Sequence, residues 1–272
     1  MKRYLVYMVL LSLVEIGLAL YLTEWRHTFW NYVEQRNYAG FMSQIGVFSL
    51  VALTLCFVAA YAQYFGTRAA IKWREILNTK ALSIGHDTDI ENHNQRVQMD
   101  CSEYPDLMIQ VVFGFGKALV YIVVFAVTLS VGFSVSYLII ILLYAILSTF
   151  AARKISMPLI SLNYQSQRAE ATYRNELTAT NFNSCIAIML GLASKTKRLA
   201  YFQTFYGQIA VILPIVIVAP EYFSAALTLG GLMQCTSIMS TISDNASYGI
   251  NSFNTINRLI SCKKRLTEMG VI

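Results

Sequence analysis

Carboxylates next to arginines are the residues of this sequence that could do chemistry, because a carboxyl group that gains and loses a proton can couple movement to a proton gradient. Gln167, Glu170 and Arg174 are spaced by three and four residues and so share one helix face, with Glu170 N-terminal to Arg174 as a helical ion pair prefers. Desolvation raises the pKa of a carboxyl group and a neighbouring arginine lowers it. The spacing makes Glu170 a candidate proton-binding group and Glu176 a second, although a solvated helix face has the same pattern.

A further carboxylate lies inside an apolar run. Glu15 interrupts the first hydrophobic stretch of the chain, and Lys117 interrupts the third. Charged side chains at membrane depth usually pair with one another, so Lys117 is a possible partner for Glu15. The alternative is that both side chains extend toward water at the membrane surface. Glu15 is therefore the third candidate for proton coupling.

Polar residues near the end of the chain recur at steps of three and four, which predicts one polar stripe along an otherwise apolar helix. A carboxylate at membrane depth costs about 2.5 to 3.5 kcal/mol, so Asp244 in this stripe should face a cavity or a cation. The alternative is that Asp244 lies nearer the cytoplasmic face, where this cost is smaller. We expect the stripe to line a cavity, while helix packing through hydroxyl hydrogen bonds explains its serines and threonines equally well. Its members are Ser237, Ser240, Thr241, Asp244, Ser247, Tyr248, Asn251 and Thr255.

The composition predicts an all-α membrane protein that crosses the bilayer several times. Of 272 residues, 56% are hydrophobic and only 13% are charged, whereas soluble domains have about 25% charged residues. Six apolar stretches approach the length of about 20 residues that a helical span needs. Tight turns at Gly132 and at Pro220 with Glu221 would make two hairpins. The spans are expected near residues 4–22, 41–65, 107–129, 135–150, 200–218 and 223–242.

Lysines and arginines fall mainly on one side of these spans. They are found before the first span and after the sixth, and they are concentrated in the two segments at 66–106 and 151–200. The positive-inside rule therefore places both termini of this multi-pass protein in the cytoplasm. Both segments are too long for simple connections, so we expect the spans to continue as long cytoplasmic helices, with a kink at Pro158.

Several classes of function are disfavoured. The chain has no GxxxxGK[ST] motif and no arrangement typical of catalytic residues, so neither an ATPase nor another enzyme is indicated. The five cysteines are odd in number and far apart, which argues against a disulfide framework or a zinc site. The net charge of +6 comes from basic residues beside hydrophobic runs, which indicates topology rather than nucleic-acid binding. We expect no cofactor and no metal.

Several motifs resemble one family of membrane proteins. The segment Ile90–Asp100, IENHNQRVQMD, resembles the Asn-x-x-Gln-Arg-Ile/Val-x-x-Asp signature of the SbmA/BacA peptide transporters and the related fatty-acyl ABC transporters. The segment Ser166–Leu177, SQRAEATYRNEL, is closer to the SbmA/BacA version, which reads NQRVEAAYRKEL. Further similar motifs are Lys72-Trp73-Arg74, TLGGLMQ at Thr228–Gln234, YGINSF at Tyr248–Phe253 and KRL at Lys264–Leu266.

This resemblance implies the fold of an ABC-exporter membrane domain without a nucleotide-binding domain, in a homodimer that imports peptides with the proton gradient. Glu170 and Glu176 lie at acidic positions of the family's segment. Two departures stand out. Family members have extra membrane helices before the segment that matches the start of this chain, which suggests a short variant or a truncated reading frame. Met99 and Ile109 also stand where the family has acidic residues.

The signature residues Gln95, Arg96 and Asp100 have two interpretations. In ABC proteins the turn before this signature contacts the ATPase. In a chain without an ATPase, the same groups could fix the helices outside the membrane through hydrogen bonds between arginine and carboxylate. We favour this structural role, and we place Arg174, the neighbour of Glu170, in the same structural set.

Three functions follow as hypotheses. The first is import of peptides or peptide-like antibiotics by proton symport, through a homodimer surrounded by membrane lipid. Its protonation sites would be Glu170, Glu176 and Glu15. The second is the membrane subunit of an ABC transporter powered by a separate ATPase chain. The third is a membrane scaffold descended from the transporter that no longer transports.

Overall fold

The computed structural model describes residues 1–84, 93–147, 149–151, 154, 165 and 179–272. The segment that carries Gln167, Glu170, Arg174 and Glu176 lies outside the described residues, and so do the side chains of Gln95, Arg96 and Asn251. In the described ranges the regular structure is helical throughout. The helices are α1 Lys2–Glu34, α2 Tyr38–Ile84, α3 His93–Gly132, α4 Val135–Ala151, α5 Ala179–Phe223, α6 Leu229–Ala246, α7 Tyr248–Asn251 and α8 Phe253–Glu268.

Four of these helices are long and apolar enough to cross a membrane. They are α1, α2, α3 from Gln98 onward, and α5 from Phe182 onward, each with a mean hydropathy between 1.8 and 2.3 over its most apolar window. They coincide with the predicted first, second, third and fifth spans, so the chain is a multi-pass membrane protein. The predicted spans at 135–150 and 223–242 correspond to α4 and α6, which are shorter or less apolar, and they stay predictions.

The long helices extend well beyond a bilayer. Helix α2 has 47 residues and α5 has 45. At about 1.5 Å per residue each is on the order of 70 Å long, more than twice the roughly 30 Å of a hydrocarbon core. Both helices are therefore longer than one bilayer crossing requires, and their extension into the cytoplasm stays a prediction. The predicted kink at Pro158 lies outside the described residues.

The sequence predicts two hairpins between spans, and only one of them lies where it is predicted. Helix α3 ends at Gly132 and α4 begins at Val135, as expected. The second turn occurs later than predicted, because Pro220 lies inside α5 and its carbonyl still accepts the N–H of Ser224 at 3.0 Å. A proline lacks a donor but keeps its acceptor, so it does not by itself end a helix in an apolar segment.

Buried residues form two main cores. The first joins α1, α3, α4, α5 and α6 around Phe125, Leu129, Ile141 and Met239. The second is smaller and joins α2, α3 and α8 around Cys101, Tyr104, Cys262 and Leu266. The first core lies within the apolar runs, whereas the second lies where α2 and α3 have passed the ends of theirs. The chain therefore has one hydrophobic core among its apolar runs and a second hydrophobic core past the ends of the apolar runs of α2 and α3.

Candidate functional site

The first charged site lies between two membrane-crossing helices. Glu15 of α1 accepts a hydrogen bond from the Lys117 ammonium of α3, with 2.6 Å between Oε1 and Nζ. Of the two alternatives that the sequence left open for these side chains, the structure shows the pairing. The Lys117 nitrogen also lies 5.9 Å from the centre of the Tyr121 ring, within reach of a cation–π interaction. The pair combines a carboxylate and an ammonium at a depth where either alone would be costly.

The packing around this pair explains its position. Ile16, next to Glu15, and Tyr121, one turn beyond Lys117, both belong to the membrane core. These neighbours pack α1 against α3, while the charged side chains are only partly covered by protein. The Glu15 side chain is 20% exposed and that of Lys117 is 35% exposed. A carboxylate that is paired yet reachable by a proton can exchange its ammonium partner for a proton.

The polar stripe at the end of the chain is largely occupied by helix packing. The Ser237 hydroxyl accepts a hydrogen bond from the Arg26 guanidinium of α1. The Ser247 hydroxyl is 2.9 Å from that of Tyr206 on α5, and Tyr248 donates to the Gln110 carbonyl oxygen of α3 at 3.0 Å. Helix packing thus accounts for these three members, and their role in lining a cavity stays a prediction.

The remaining members of the stripe are more open. Ser240 and Thr241 are half-buried, and Thr241 donates to the Ser237 carbonyl oxygen of its own helix at 2.9 Å. Asp244 is exposed, and within the described residues it has no hydrogen-bond or ion-pair partner. The prediction of one continuous helix is wrong, because turns at Ser247 and Ser252 divide the stripe among α6, α7 and α8.

A second charged site lies in the core beyond the membrane. Arg265 of α8 donates two hydrogen bonds to the buried Asp100 carboxylate of α3, at 2.8 and 2.7 Å. The Cys262 thiol also contacts this carboxylate, and burial raises the pKa of that thiol to about 12. The hydrogen bond to Asp100 raises the pKa of Arg265 above its usual value. A second pair, Glu103 with Arg258, joins the same two helices. These contacts support the structural role that we favoured for Asp100.

Sequence reasoning missed a polar contact between α1 and the start of α6. Asn31 accepts the N–H of Gly230, and Glu34 accepts the N–H of Leu229, both at 3.0 Å. Nearby, Gln234 donates to Glu24 at 2.7 Å. Acceptors near a helix N-terminus bond to its free N–H groups, and a negatively charged acceptor also interacts favourably with the positive end of the helix dipole. The sequence signal for this contact is Thr-Leu-Gly-Gly at the start of α6. Thr228 caps the helix, and Gly230 has no side chain that would overlap the backbone of α1.

Metal binding finds no support in the parts of the chain that the structure describes. No group of three or more histidine, cysteine, aspartate or glutamate side chains is arranged to hold an ion there. The charged sites are instead pairs of one carboxylate with one cation, which suits proton exchange or helix fixation.

A family profile for SbmA/BacA-like proteins matches residues 4–271. The chain belongs to the SbmA/BacA-like family. The profile covers nearly the whole of this SbmA/BacA-like chain, and both charged sites lie in the matched region. Its closing KRL motif and the aspartate of its Asn-x-x-Gln-Arg signature meet in the pair of Arg265 and Asp100.

Curated relatives of this SbmA/BacA-like chain are larger proteins. An uncharacterized ABC transporter ATP-binding protein of Haemophilus influenzae is 23% identical over 85% of this chain and 46% of its own length. The inner membrane ABC transporter ATP-binding protein YddA of Escherichia coli is 22% identical over 93% of this chain and 54% of its own length. ABC transporter D family member 2 of Arabidopsis thaliana, a chloroplastic protein, is 23% identical over 66% of this chain and 28% of its own length. The chain spans about half the length of the first two.

Proposed function

We propose that this chain imports peptides or peptide-like antibiotics across a bacterial inner membrane, driven by the proton gradient. It works as a homodimer, with both termini in the cytoplasm. The observation that carries the proposal is the pair of Glu15 and Lys117, because it places an exchangeable carboxylate between two helices long enough to cross the membrane. Membership in the SbmA/BacA-like family supports a transport role.

Proton coupling works through competition for the Glu15 carboxylate. While Glu15 is ionised, Lys117 holds α1 and α3 together. A proton that binds Glu15 removes this attraction and leaves the Lys117 charge without its partner. The packing of α1 against α3 then changes when Glu15 is protonated from one side of the membrane and again when it releases the proton on the other. In this proposal, Glu170 and Glu176 provide further protonation sites nearer the cytoplasm.

The direct test uses a bacterial strain that lacks its own peptide transporter. Expression of this chain should sensitise the strain to proline-rich antimicrobial peptides, and a protonophore should abolish uptake of a labelled peptide. Glu15→Gln should lower uptake about tenfold or more, since the variant cannot be ionised. The matched control is Glu75→Gln, which removes an exposed carboxylate paired with Lys72 on α2.

Two results would contradict this proposal. Uptake that continues unchanged in the presence of a protonophore would exclude the proton gradient as its energy source. Normal amounts of the protein in the membrane, with no gain in peptide sensitivity, would instead favour a scaffold that does not transport. Glu170→Gln and Glu176→Gln test the other two protonation sites in the same assay.

A second candidate function is favoured by the relatives. Two bacterial relatives of this chain are named as ATP-binding proteins of ABC transporters, and about half of each lies outside the match. In this alternative, a separate ATPase chain powers transport through this membrane protein by hydrolysing ATP. ATP-dependent uptake in proteoliposomes, which appears only when that ATPase is added and persists with a protonophore, would establish this function instead.

A further inference from the structure

A groove between α2 and α3 lies next to the smaller of the two cores. It has a volume of about 430 Å³ and is lined by Arg74 of α2 and by Gln98, Met99, Ser102, Glu103 and Asp106 of α3. Glu103 is paired with Arg258 of α8, so its charge is already compensated. The other two charged groups of the lining are Arg74 and Asp106. The groove therefore presents one cation and one anion, each from a different helix.

Arg74 and Asp106 share this groove without forming an ion pair. Arg74 is half-buried and Asp106 is exposed. The two charges are near enough to attract each other, but the ion pairs of the described residues do not include one between them. A guanidinium has five N–H donors, and a carboxylate has two acceptor oxygens. The space between the two groups is therefore complementary to a ligand with a negative and a positive end.

The groove lies where α3 leaves its apolar run. Asp106 directly precedes Leu107, the first residue of that run. On α2, Trp73 is the neighbour of Arg74 and packs edge-on against Tyr104 of α3, with 5.7 Å between ring centres. Tryptophan and tyrosine are enriched at the interface between membrane and water. The groove is therefore placed at the depth of the lipid headgroups.

An exposed apolar side chain adjoins the groove on its membrane side. Ile71 precedes Arg74 by three residues, so it lies one turn nearer the apolar run on the same face of α2. Its side chain is 56% exposed. A lipid held at Arg74 by its headgroup can therefore place the start of an acyl chain against Ile71. An apolar contact beside a charged groove favours a phospholipid over a free phosphate or a free amine.

We propose that this groove binds one phospholipid whose headgroup carries a phosphate and a primary ammonium, as that of phosphatidylethanolamine does. Arg74 donates hydrogen bonds to the phosphate, and Asp106 accepts hydrogen bonds from the ammonium. Gln98 and Ser102 also line the groove and offer neutral hydrogen-bonding groups. This inference goes beyond the proposed function and does not depend on it.

The two charges make the groove selective for one headgroup. Phosphatidylglycerol brings a phosphate to Arg74 but no cation to Asp106, whose carboxylate repels it. Phosphatidylcholine carries a quaternary ammonium, which has no N–H to donate to Asp106. Phosphatidylethanolamine meets both groups, so it should bind most tightly.

Lipid binding to the purified full chain in detergent tests this site. The three lipids, matched in their acyl chains, are titrated and their binding is measured by native mass spectrometry. The wild type should bind phosphatidylethanolamine about tenfold more tightly than the other two, because a hydrogen bond between charged groups contributes that much. Asp106→Asn should remove this preference and leave the affinity for phosphatidylcholine unchanged. Arg74→Gln should weaken binding of all three lipids, because all three carry a phosphate.

Two results would overturn the site. One is equal affinity of the wild type for the three lipids, and the other is an unchanged ratio of phosphatidylethanolamine to phosphatidylcholine affinity in Asp106→Asn. A variant that has only lost stability weakens all lipids alike, so this ratio separates headgroup recognition from misfolding. Arg74→Lys keeps the cation and should restore most of the binding lost in Arg74→Gln.

Matched controls change exposed charges of α2 that do not line the groove. Glu75→Gln removes an anion and Lys80→Gln removes a cation, and both residues are exposed. Both variants should bind the three lipids as the wild type does. If either control loses the preference for phosphatidylethanolamine, the overall charge of α2 decides lipid binding and the groove does not. Helix content by circular dichroism confirms that each variant is folded.

Discussion

Two of the ion pairs that join α3 to other helices differ in how tightly the carboxylate is held. Asp100 is buried and receives two hydrogen bonds from the planar guanidinium of Arg265. Glu15 receives one bond from the flexible ammonium of Lys117, and both side chains keep some exposure. A bidentate arginine fixes geometry, whereas a lysine is a point charge on a mobile stem. The first pair suits a permanent joint and the second an exchangeable contact.

The location of the pairs agrees with this difference. Asp100 and Arg265 lie in the small core beyond the membrane, with Cys262, Leu266 and Tyr104 packed around them. Glu15 and Lys117 lie within apolar runs, where a proton can replace a cation as the partner of a carboxylate. An ion pair between a carboxylate and a cation thus fixes the helices at one end of α3, whereas the ion pair in its apolar part is proposed to exchange protons. The predictions below test that contrast, beginning with the largest effect.

Arg265→Ala should cause the largest loss of stability. It leaves the buried Asp100 carboxylate without its cation, and breaking a buried pair in this way costs about 3 to 5 kcal/mol. Because the Arg265 side chain is 40% exposed, we expect a loss near the lower limit, about 3 kcal/mol. Denaturant unfolding in detergent measures it. A loss below about 1 kcal/mol, which is the range of surface ion pairs, would show that the pair of Arg265 and Asp100 does not fix α8 against α3.

Glu15→Gln should affect stability much less than uptake. Lys117 loses its partner in this variant, but its long side chain can extend toward the membrane surface, so we expect a loss of about 1 kcal/mol or less in the same unfolding measurement. Peptide uptake should nevertheless fall about tenfold or more, because the variant cannot exchange a proton. A large loss of stability with normal uptake would reverse the roles that we assign to the two pairs.

Thiol labelling should report on the fixed pair without full unfolding. Cys262 is buried beside Asp100 and its pKa is raised to about 12 by burial, so the thiol is protonated and unreactive at neutral pH. A maleimide should therefore label Cys262 slowly in the wild type and faster in Arg265→Ala. Labelling of the same thiol in the unfolded protein serves as the reference. Equal labelling of Cys262 in both proteins would mean that Arg265 does not hold this core closed.

Arg258→Ala should have the smallest effect. It removes the partner of Glu103 from the same pair of helices as Arg265, but the Arg258 side chain is 67% exposed. Exposed ion pairs contribute about 0 to 1 kcal/mol, so unfolding should barely change. A loss as large as that of Arg265→Ala would mean that proximity to α3, rather than burial of the carboxylate, decides stability.

The sequence predicts the membrane helices well because their signal is local. Apolar runs identify α1, α2, α3 and α5, and opposite charges inside two such runs predict the pair of Glu15 and Lys117. A local pattern also misleads at Pro220, where an internal proline suggests a turn although the helix continues to Phe223. Composition and charge therefore predict which segments enter the membrane better than they predict where each helix ends.

Contacts between distant segments could not be read from local patterns. Asp100 was expected to bind an arginine, but nothing in its neighbourhood identifies Arg265, which is far away in the chain. The same holds for Asn31 and Glu34, which receive N–H groups from the start of α6. The polar stripe was ambiguous because hydroxyl groups serve cavities and helix contacts equally well. Only the packed helices show that Ser237 and Tyr248 contact neighbouring helices.

The most direct test of the central claim is peptide uptake by purified protein in proteoliposomes, with an imposed proton gradient and no ATP. We predict that wild-type protein and Glu75→Gln accumulate peptide, that Glu15→Gln accumulates about tenfold less, and that a protonophore abolishes accumulation. Accumulation by Glu15→Gln at the wild-type rate, or accumulation that requires ATP, would contradict proton exchange at the pair of Glu15 and Lys117.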